Sequence, residues 1–194
     1  MVDIGCGEKP YAPLFAPYVK RHIGVDHADS YHCDEEVDVC ANAYDTTLPD
    51  DFADTVLSTA VLEHLERPRD AMREIQRILR PGGHLILTAP LFWHLHEEPR
   101  DFFRYTSHGL KYLLEEAGLQ PVEIKPLSGF IVTFCQAWCY FLRSSFLNRR
   151  LFRLPTRFLV FCIQAFGYLT RRWDKSNTFT WMYLVIARKP GESF

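Results

Sequence analysis

Short strand-like segments alternate with helical segments along the chain. The segments predicted as strands are apolar or β-branched, and the longest predicted helix has apolar residues at spacings of three and four. The predicted strands are 1–5, 22–26, 37–40, 54–58, 84–88, 121–127 and 180–188, and the predicted helices lie near 11–20, 67–79 and 108–117. This alternation predicts βαβ units, and therefore an α/β fold with a doubly wound, mostly parallel sheet.

Length and composition narrow the class of protein further. The chain has 194 residues, so residues 1–194 are predicted to form a single domain with an elaboration. With 47% hydrophobic and 24% charged residues, disordered, collagen-like and simple coiled-coil proteins are excluded. The net charge of −2 argues against a protein that holds nucleic acid through bulk charge, and no nucleic-acid partner is predicted.

A glycine turn follows the first predicted strand. Gly5 and Gly7 allow a ligand to approach the backbone, and Asp26 ends the second predicted strand. Together they predict a site for a nucleoside-containing cofactor, although a tight turn beside a solvated Asp gives the same pattern. A dinucleotide is disfavoured, because Pro10 stands where the third glycine of the dinucleotide motif belongs. Asp3, just before the glycines, fits a ligand with an amino group near the turn.

Six segments of the sequence resemble the motifs of a known family, and they lie at the spacing that the family shows. The segments are VDIGCG (2–7), GVD (24–26), FADTVLSTAVLEHLERP (52–68), ILRPGGHLILTAP (78–90), DFFRYT (101–106) and EEAGL (115–119). The chain resembles class I S-adenosylmethionine-dependent methyltransferases of the type called methyltransferase type 11. This resemblance implies a Rossmann-like sheet of seven strands whose last strand is antiparallel, and S-adenosylmethionine as cofactor. It also implies that the family's N-terminal helices are missing, since Met1 almost coincides with the first strand.

The resemblance implies roles for residues at the carboxyl ends of the first four strands. Asp3 and the glycine turn would line the methionine end, Asp26 would bind the ribose, and Asn42 stands where the family usually has Asp near the adenine. His64 would either touch the cofactor or bond locally. The implied cofactor-binding residues are Asp3, Gly5, Cys6, Gly7, Asp26, His27, Asn42, Ala43, Ser58, Thr59 and His64.

The segment from Pro90 to Thr106 is predicted to face the methyl acceptor, because it is a loop dense in polar and aromatic groups. His96 is the predicted general base and Asp101 its orienting carboxylate. The substrate-binding candidates in this loop are His94, Arg104 and Tyr105. The alternative is that the same motif is a structural clamp that ties the loop to the next helix, with Arg104 paired to Asp101. No metal site is predicted, since His94, His96 and Glu97 lack a distant fourth ligand.

An apolar, basic insertion is predicted at about 128–177, before the last strand. Residues 128–175 contain eight basic residues against one acidic residue, a net charge of +7 that leaves −9 for the rest of the chain. Apolar helices flanked by arginine suit peripheral contact with a membrane or a lipid-linked acceptor. They also suit packing on the sheet or on a second copy of the chain as a homodimer, or a re-entrant hairpin. No apolar run is long enough for a transmembrane helix.

The six cysteines are interpreted as reduced thiols, which predicts a cytoplasmic protein, with the inner face of the membrane as the alternative position. The predicted function is an enzyme, a methyltransferase acting on a small-molecule, glycan or lipid-linked acceptor. The alternatives are a non-catalytic S-adenosylmethionine-binding or scaffold protein, and an NAD-dependent oxidoreductase.

Overall fold

The computed structural model describes residues 1–27, 37–146, 153–174 and 178–191. The strands are β1 (Val2–Ile4), β2 (Ile23–Asp26), β3 (Val39–Cys40), β4 (Ala53–Thr59), β5 (Leu79–Pro90), β6 (Gln120–Pro126) and β7 (Met182–Arg188). The helices are α1 (Ala12–Phe15), α2 (Pro68–Ile78), α3 (Ser107–Glu116), α4 (Phe130–Phe146) and α5 (Arg153–Thr170), and Leu62–His64 forms one turn of 3-10 helix.

In this described part of the chain, seven strands form one sheet in the order β3-β2-β1-β4-β5-β7-β6. The pairs β1–β2, β1–β4, β2–β3 and β4–β5 are parallel. β7 runs against β5, because the N–H of Gly82 donates to the carbonyl of Lys189 whereas that of Leu91 donates to the carbonyl of Trp181. The predicted α/β, mostly parallel, seven-stranded sheet with an antiparallel last strand is confirmed.

The apolar face predicted for the second helix, α2, is buried in the structure. Ala71, Met72, Ile75 and Ile78 are all buried, and α2 packs against β5 and α3. Burying such a stripe is what drives an amphipathic helix onto a sheet. The next helix, α3, begins at Ser107, one residue before its predicted start, and the Thr106 side chain accepts the Gly109 N–H at 3.0 Å as an N-cap.

The segment Pro81-Gly82-Gly83 lies inside strand β5. A strand was predicted at 84–88 after a helix near 67–79, but β5 starts at Leu79, directly after α2. Ala53 pairs with Leu79 while Thr55 already pairs with His84, so Arg80–Gly83 form a bulge opposite Asp54. The strand is therefore longer than its apolar run, because a bulge accommodates residues that cannot pair.

The first helix is shorter than predicted. Instead of covering 11–20, α1 contains only Ala12–Phe15. Pro17 follows closely, and a proline has no N–H to donate to the preceding turn.

The described chain divides into two compact units. The first comprises residues 1–90, 95–125 and those from 184 onward, and it contains most of the sheet. The second comprises Leu91–His94 and Pro126–Tyr183, and in it α4 packs along α5. None of the described helices is both long and apolar enough to cross a membrane.

One cysteine differs from expectation. Cys40, at the end of β3, is disulfide-bonded, whereas Cys6, Cys135, Cys139 and Cys162 are free thiols. Cys33 lies outside the described residues. The expectation of reduced thiols throughout is therefore wrong at Cys40, and the cytoplasmic location that it supported stays a prediction.

Candidate active site

The parallel register brings four strand ends to one edge of the sheet. Ile4 pairs with Val25 and Asp3 with Leu57, so the residues that follow β1, β2 and β4 lie side by side. β3 joins the same edge, since its Cys40 pairs with Asp26. The predicted cofactor residues, which come from four distant parts of the sequence, therefore meet at the carboxyl edge of the sheet.

The glycine turn is fixed by backbone hydrogen bonds and by lack of space. Gly5 has a φ of +70°, and its N–H donates to the Val25 carbonyl at 2.8 Å. A Cβ at Gly5 would collide with Cγ2 of Val61. Gly7 has a φ of +47° and a Cβ there would meet no atom within 4 Å, so this side of the turn is open.

Asp26 is oriented by two backbone donors. Its Oδ2 accepts the Gly7 N–H at 2.8 Å and its Oδ1 accepts the His27 N–H at 2.7 Å. A carboxylate has about four lone-pair sites, so each oxygen can accept a further bond from a ligand. The acid and the glycine turn are thus one connected unit, and the ribose-binding role of Asp26 stays a prediction.

The acid before the glycines is buried. Asp3 is 2% exposed, and its Oδ2 lies 3.1 Å from Nε2 of His22. Burial raises the pKa of Asp3 above its ordinary value, and the contact with His22 opposes that rise. His22 was not among the predicted site residues. Cys6 is also buried, and burial raises the pKa of its thiol to about 12, so it is protonated at neutral pH.

The other predicted cofactor residues lie at the same edge with different exposure. Ser58 is buried and Thr59 half-buried at the end of β4, and Asn42 and Ala43 are half-buried after β3. Oδ1 of Asn42 accepts the Tyr44 N–H at 3.0 Å. The cofactor contacts of these residues stay predictions, since the structure contains no ligand.

A strained residue follows β4. Ala60 has a φ of +54°, an uncommon conformation for a residue with a Cβ, and its N–H donates to Oγ1 of Thr88 at 3.0 Å. Such strain persists only where the surrounding structure imposes it, and it is frequent at functional sites.

The loop after β5 contains the Arg104–Asp101 pair that the sequence analysis gave as an alternative to substrate binding. Arg104 donates to both carboxylate oxygens of Asp101, at 2.6 and 2.8 Å, and the Asp101 side chain is 2% exposed. The hydrogen bonds from Arg104 are the main cause that holds the pKa of Asp101 well below its usual range. Tyr105 is buried and its hydroxyl donates to the Leu62 carbonyl at 3.1 Å. Arg104 and Tyr105 thus have structural contacts, and their substrate contacts stay predictions.

The predicted base and its carboxylate are brought together. Nδ1 of His96 lies 3.3 Å from Oδ2 of Asp101, which also accepts the His96 backbone N–H at 3.0 Å. His94 lies in the second unit, where its ring centroid is 4.5 Å from that of Tyr140. The two histidines of the loop therefore belong to different units.

Glu63 was not among the predicted site residues. Its side chain is 1% exposed, and no partner for its Oε2 is found among the described residues. Burial raises the pKa of Glu63 to about 7. His64, beside it, bonds locally: its Nδ1 donates to the Arg100 carbonyl at 2.5 Å. An acid between leucines, as in Leu62-Glu63-His64-Leu65, was the available signal.

The strand order, with a glycine turn at the carboxyl ends of the parallel strands, is that of the class I methyltransferase fold. Residues 2–87 match the family model described as a methyltransferase domain. This match and the fold agree with the resemblance to class I S-adenosylmethionine-dependent methyltransferases that the sequence motifs carry.

Two curated relatives are named as methyltransferases. A probable S-adenosylmethionine-dependent methyltransferase from Mycolicibacterium smegmatis is 32% identical over 96 residues, covering 46% of this chain and 37% of the relative. A tRNA (carboxymethyluridine(34)-5-O)-methyltransferase from Arabidopsis thaliana is 27% identical over 124 residues, covering 61% of this chain and 30% of the relative. The chain thus spans about a third of the length of these relatives.

The crystal structure of the cyclase SpnF has a similar fold. It superposes with a TM-score of 0.64 and 20% identity, covering 98% of this chain and 75% of that chain. This similarity concerns the fold alone, because one fold hosts different chemistries.

Proposed function

We propose that the chain binds S-adenosylmethionine and transfers its methyl group to an acceptor. The observation that carries this proposal is the connection between Gly7 and Asp26, which presents a carboxylate and an open glycine turn at one sheet edge. Asp26 would accept hydrogen bonds from both ribose hydroxyls, and the turn would approach the methionine end. The family match and the methyltransferase relatives support the same activity.

In methyl transfer from a sulfonium, the protein mainly has to orient the acceptor and the methyl group, because the methyl group is already activated. An acceptor hydroxyl would also need a group that takes its proton. His96 is our candidate, because Asp101 lies next to Nδ1 and leaves Nε2 as the ring nitrogen that can take a proton.

Substitution of Asp26 tests the cofactor site. In Asp26→Asn, two hydrogen bonds to a charged acceptor become weaker, and we expect the dissociation constant for S-adenosylmethionine to rise about 10- to 100-fold. Isothermal titration calorimetry measures it. Asp54→Asn is the matched control, because Asp54 is an exposed acid near the amino end of β4, and it should bind like the unmodified chain. Absence of binding by the unmodified chain, or equal binding by Asp26→Asn, would contradict the proposal.

We infer that the acceptor is lipid-linked or presented at a membrane surface, and the second unit supports this. Its two long helices bury mainly small and polar residues and expose large apolar ones. The buried residues of α4 and α5 are Thr133, Cys139, Thr156, Gly167 and Thr170. Leu154, Phe158 and Phe161 follow one face of α5 and are 78%, 69% and 67% exposed. This distribution suits contact with an apolar phase.

The charges around this apolar face favour an anionic bilayer surface as its occupant. Arg153 and Arg157 lie in the first part of α5, and Arg171 follows its end. Arginines beside exposed aromatic residues attract anionic headgroups at a membrane surface. The position that we propose for the protein is therefore the inner face of the cytoplasmic membrane. A tRNA acceptor, as in the Arabidopsis relative's name, has no such need for exposed apolar helices.

Vesicle co-sedimentation tests this inference. The chain should bind vesicles of phosphatidylcholine with phosphatidylglycerol, and bind them less at high salt because ions screen the arginines. The double variant Phe158→Ser/Phe161→Ser should reduce binding at least about tenfold, since it removes two apolar anchors. Tyr18→Ser is the control, because Tyr18 is 83% exposed in the first unit. A stable dimer in analytical ultracentrifugation that the double variant abolishes, without vesicle binding, would show that a second copy covers the face.

A further inference from the structure

Three side chains with metal-ligating atoms converge in the first unit. Glu63 and His64 come from the 3-10 turn after β4, and His96 comes from the loop after β5. One ligand atom of each residue lies within 4.8 Å of the other two. The rings of His64 and His96 meet edge to face, with centroids 4.7 Å apart. Among the described residues, the backbone N–H groups of Gly5 and Gly7 donate to Val25 and Asp26 and not to these three side chains.

Glu63 provides the first reason to place a cation here. A buried carboxylate oxygen without a hydrogen-bond donor is costly, and Oε2 of Glu63 has none among the described residues. A cation beside Oε2 would remove that cost by compensating the charge directly.

The second reason is how His64 is held. Its Nδ1 donates to the Arg100 carbonyl, so this nitrogen carries the proton and Nε2 carries the lone pair. Nε2 faces two acids, at 4.0 Å from Oε1 of Glu63 and 3.7 Å from Oε2 of Glu97. Metal-ligating histidines usually donate their other ring N–H to a carbonyl or carboxylate in this way.

The third reason is that His96 repeats the arrangement. Its Nδ1 lies 3.3 Å from Oδ2 of Asp101, so Nε2 is the ring nitrogen that can bind an ion. Arg104 holds Asp101 in place through two hydrogen bonds. Both histidines thus have the outer partner that orients a metal ligand, one a carbonyl and the other a carboxylate.

We propose that Glu63, His64 and His96 bind one divalent cation of the zinc class. Two imidazoles and one carboxylate favour zinc and similar transition-metal ions, whereas Mg²⁺ and Ca²⁺ prefer oxygen ligands. Ligand atoms that are each about 2.1 Å from a zinc ion lie roughly 3.4 Å apart. The distance of 4.0 Å between Nε2 of His64 and Oε1 of Glu63 would therefore need only a small closure. Three protein ligands leave a fourth position for water or substrate.

The catalytic consequence rests on the proposed methyl transfer. An acceptor hydroxyl at the fourth position would have a lowered pKa and lose its proton to solvent. Its oxygen would then form the O–CH₃ bond as the S–CH₃ bond breaks, which leaves S-adenosylhomocysteine. In this arrangement Nε2 of His96 is a ligand and not the base, so metal binding decides between its two roles.

Metal titration of the chelator-treated full chain tests the site without any assay of methyl transfer. We expect about one equivalent of Zn²⁺ to bind in calorimetry, and Co²⁺ to give the visible absorption of a site with low coordination number. Glu63→Gln, His64→Gln and His96→Gln should each weaken Zn²⁺ binding at least about tenfold. His108→Gln is the control, because His108 is exposed at the start of α3 and should not change binding.

Two results would overturn the proposal: no Zn²⁺ binding by the unmodified chain, or equal Zn²⁺ binding by His96→Gln. His96 is half-buried on a loop, so this variant keeps the test usable if Glu63→Gln does not fold. Thermal unfolding shows which variants are folded. S-adenosylmethionine binding is measured in parallel, so that failure of the metal site and failure of the proposed function are distinguishable.

Discussion

The Gly5→Ala variant is expected to lose about 2 to 5 kcal/mol of unfolding free energy, a large part of the stability of a small protein. Gly5 has a φ of +70°, where an alanine is disfavoured. Its new Cβ would also collide with Cγ2 of Val61 and lie 2.9 Å from Cγ1. Val61 is β-branched and has little rotamer freedom to move aside. Urea unfolding followed by circular dichroism measures the loss.

Gly7→Ala separates backbone strain from collision at the same turn. Gly7 also has a positive φ, +47°, but a Cβ there would meet no atom within 4 Å. We expect it to cost only about 1 to 2 kcal/mol. In Gly5→Ala/Val61→Ala part of the lost stability should return, because both Cγ atoms are gone. If Gly5→Ala and Gly7→Ala cost the same, the collision with Val61 does not contribute.

The parts of the fold that local sequence determines were predictable. The apolar face of α2 depends on residues within one or two turns of each other and was found as predicted, and the Thr106 cap of α3 has the same local origin. The mostly parallel, seven-stranded sheet with an antiparallel last strand followed from the alternation of elements and the family motifs. The short α1 and the long β5 were missed, because a later proline and a bulge opposite another strand decide where these elements end.

The candidate site was only partly predictable, because burial and pairing arise from long-range contacts. Asp26 was identified from its place after a strand, but its hydrogen bond to Gly7 shows only in the structure. In the sequence, the residues considered for a metal site were His96 and its loop neighbours His94 and Glu97. The structure instead brings it to Glu63 and His64, more than thirty positions earlier. The spacing of residues along the sequence could not predict this contact, because the two segments approach each other only when β4 lies beside β5.

The Glu74→Gln variant is expected to lose about 2 to 4 kcal/mol of unfolding free energy at neutral pH. Glu74 is 7% exposed in α2, and its Oε1 accepts both the N–H and the hydroxyl of Thr46, at 2.8 and 2.6 Å. Arg77 donates to both carboxylate oxygens, at 2.8 and 2.7 Å. Glutamine has one acceptor oxygen and no charge, so it cannot satisfy all of these donors.

Acidification should have a related effect on the unmodified chain. Burial acts to raise the pKa of Glu74, but the hydrogen bonds from Arg77 and Thr46 outweigh it, and the pKa lies below its ordinary value. A lowered pKa in the folded state stabilises the protein above the unfolded value of about 4.3, and this contribution is lost as the pH falls through the folded value. In Glu74→Gln, the loss of stability on acidification should therefore be smaller, as measured by urea unfolding at pH 7 and at mildly acidic pH.

Asp70→Asn is the matched control for Glu74→Gln, since it removes an acid from the same helix at an exposed position. The Asp70 side chain is 38% exposed and lies 3.3 Å from Arg67 and 3.5 Å from Arg73. Exposed ion pairs contribute little, so we expect a change below about 1 kcal/mol and no change in the pH dependence. Equal losses in the two variants would mean that burial and the Thr46 contacts do not set the contribution of Glu74. A larger loss in Glu74→Gln alone would assign it to the buried carboxylate that joins α2 to the segment before β4.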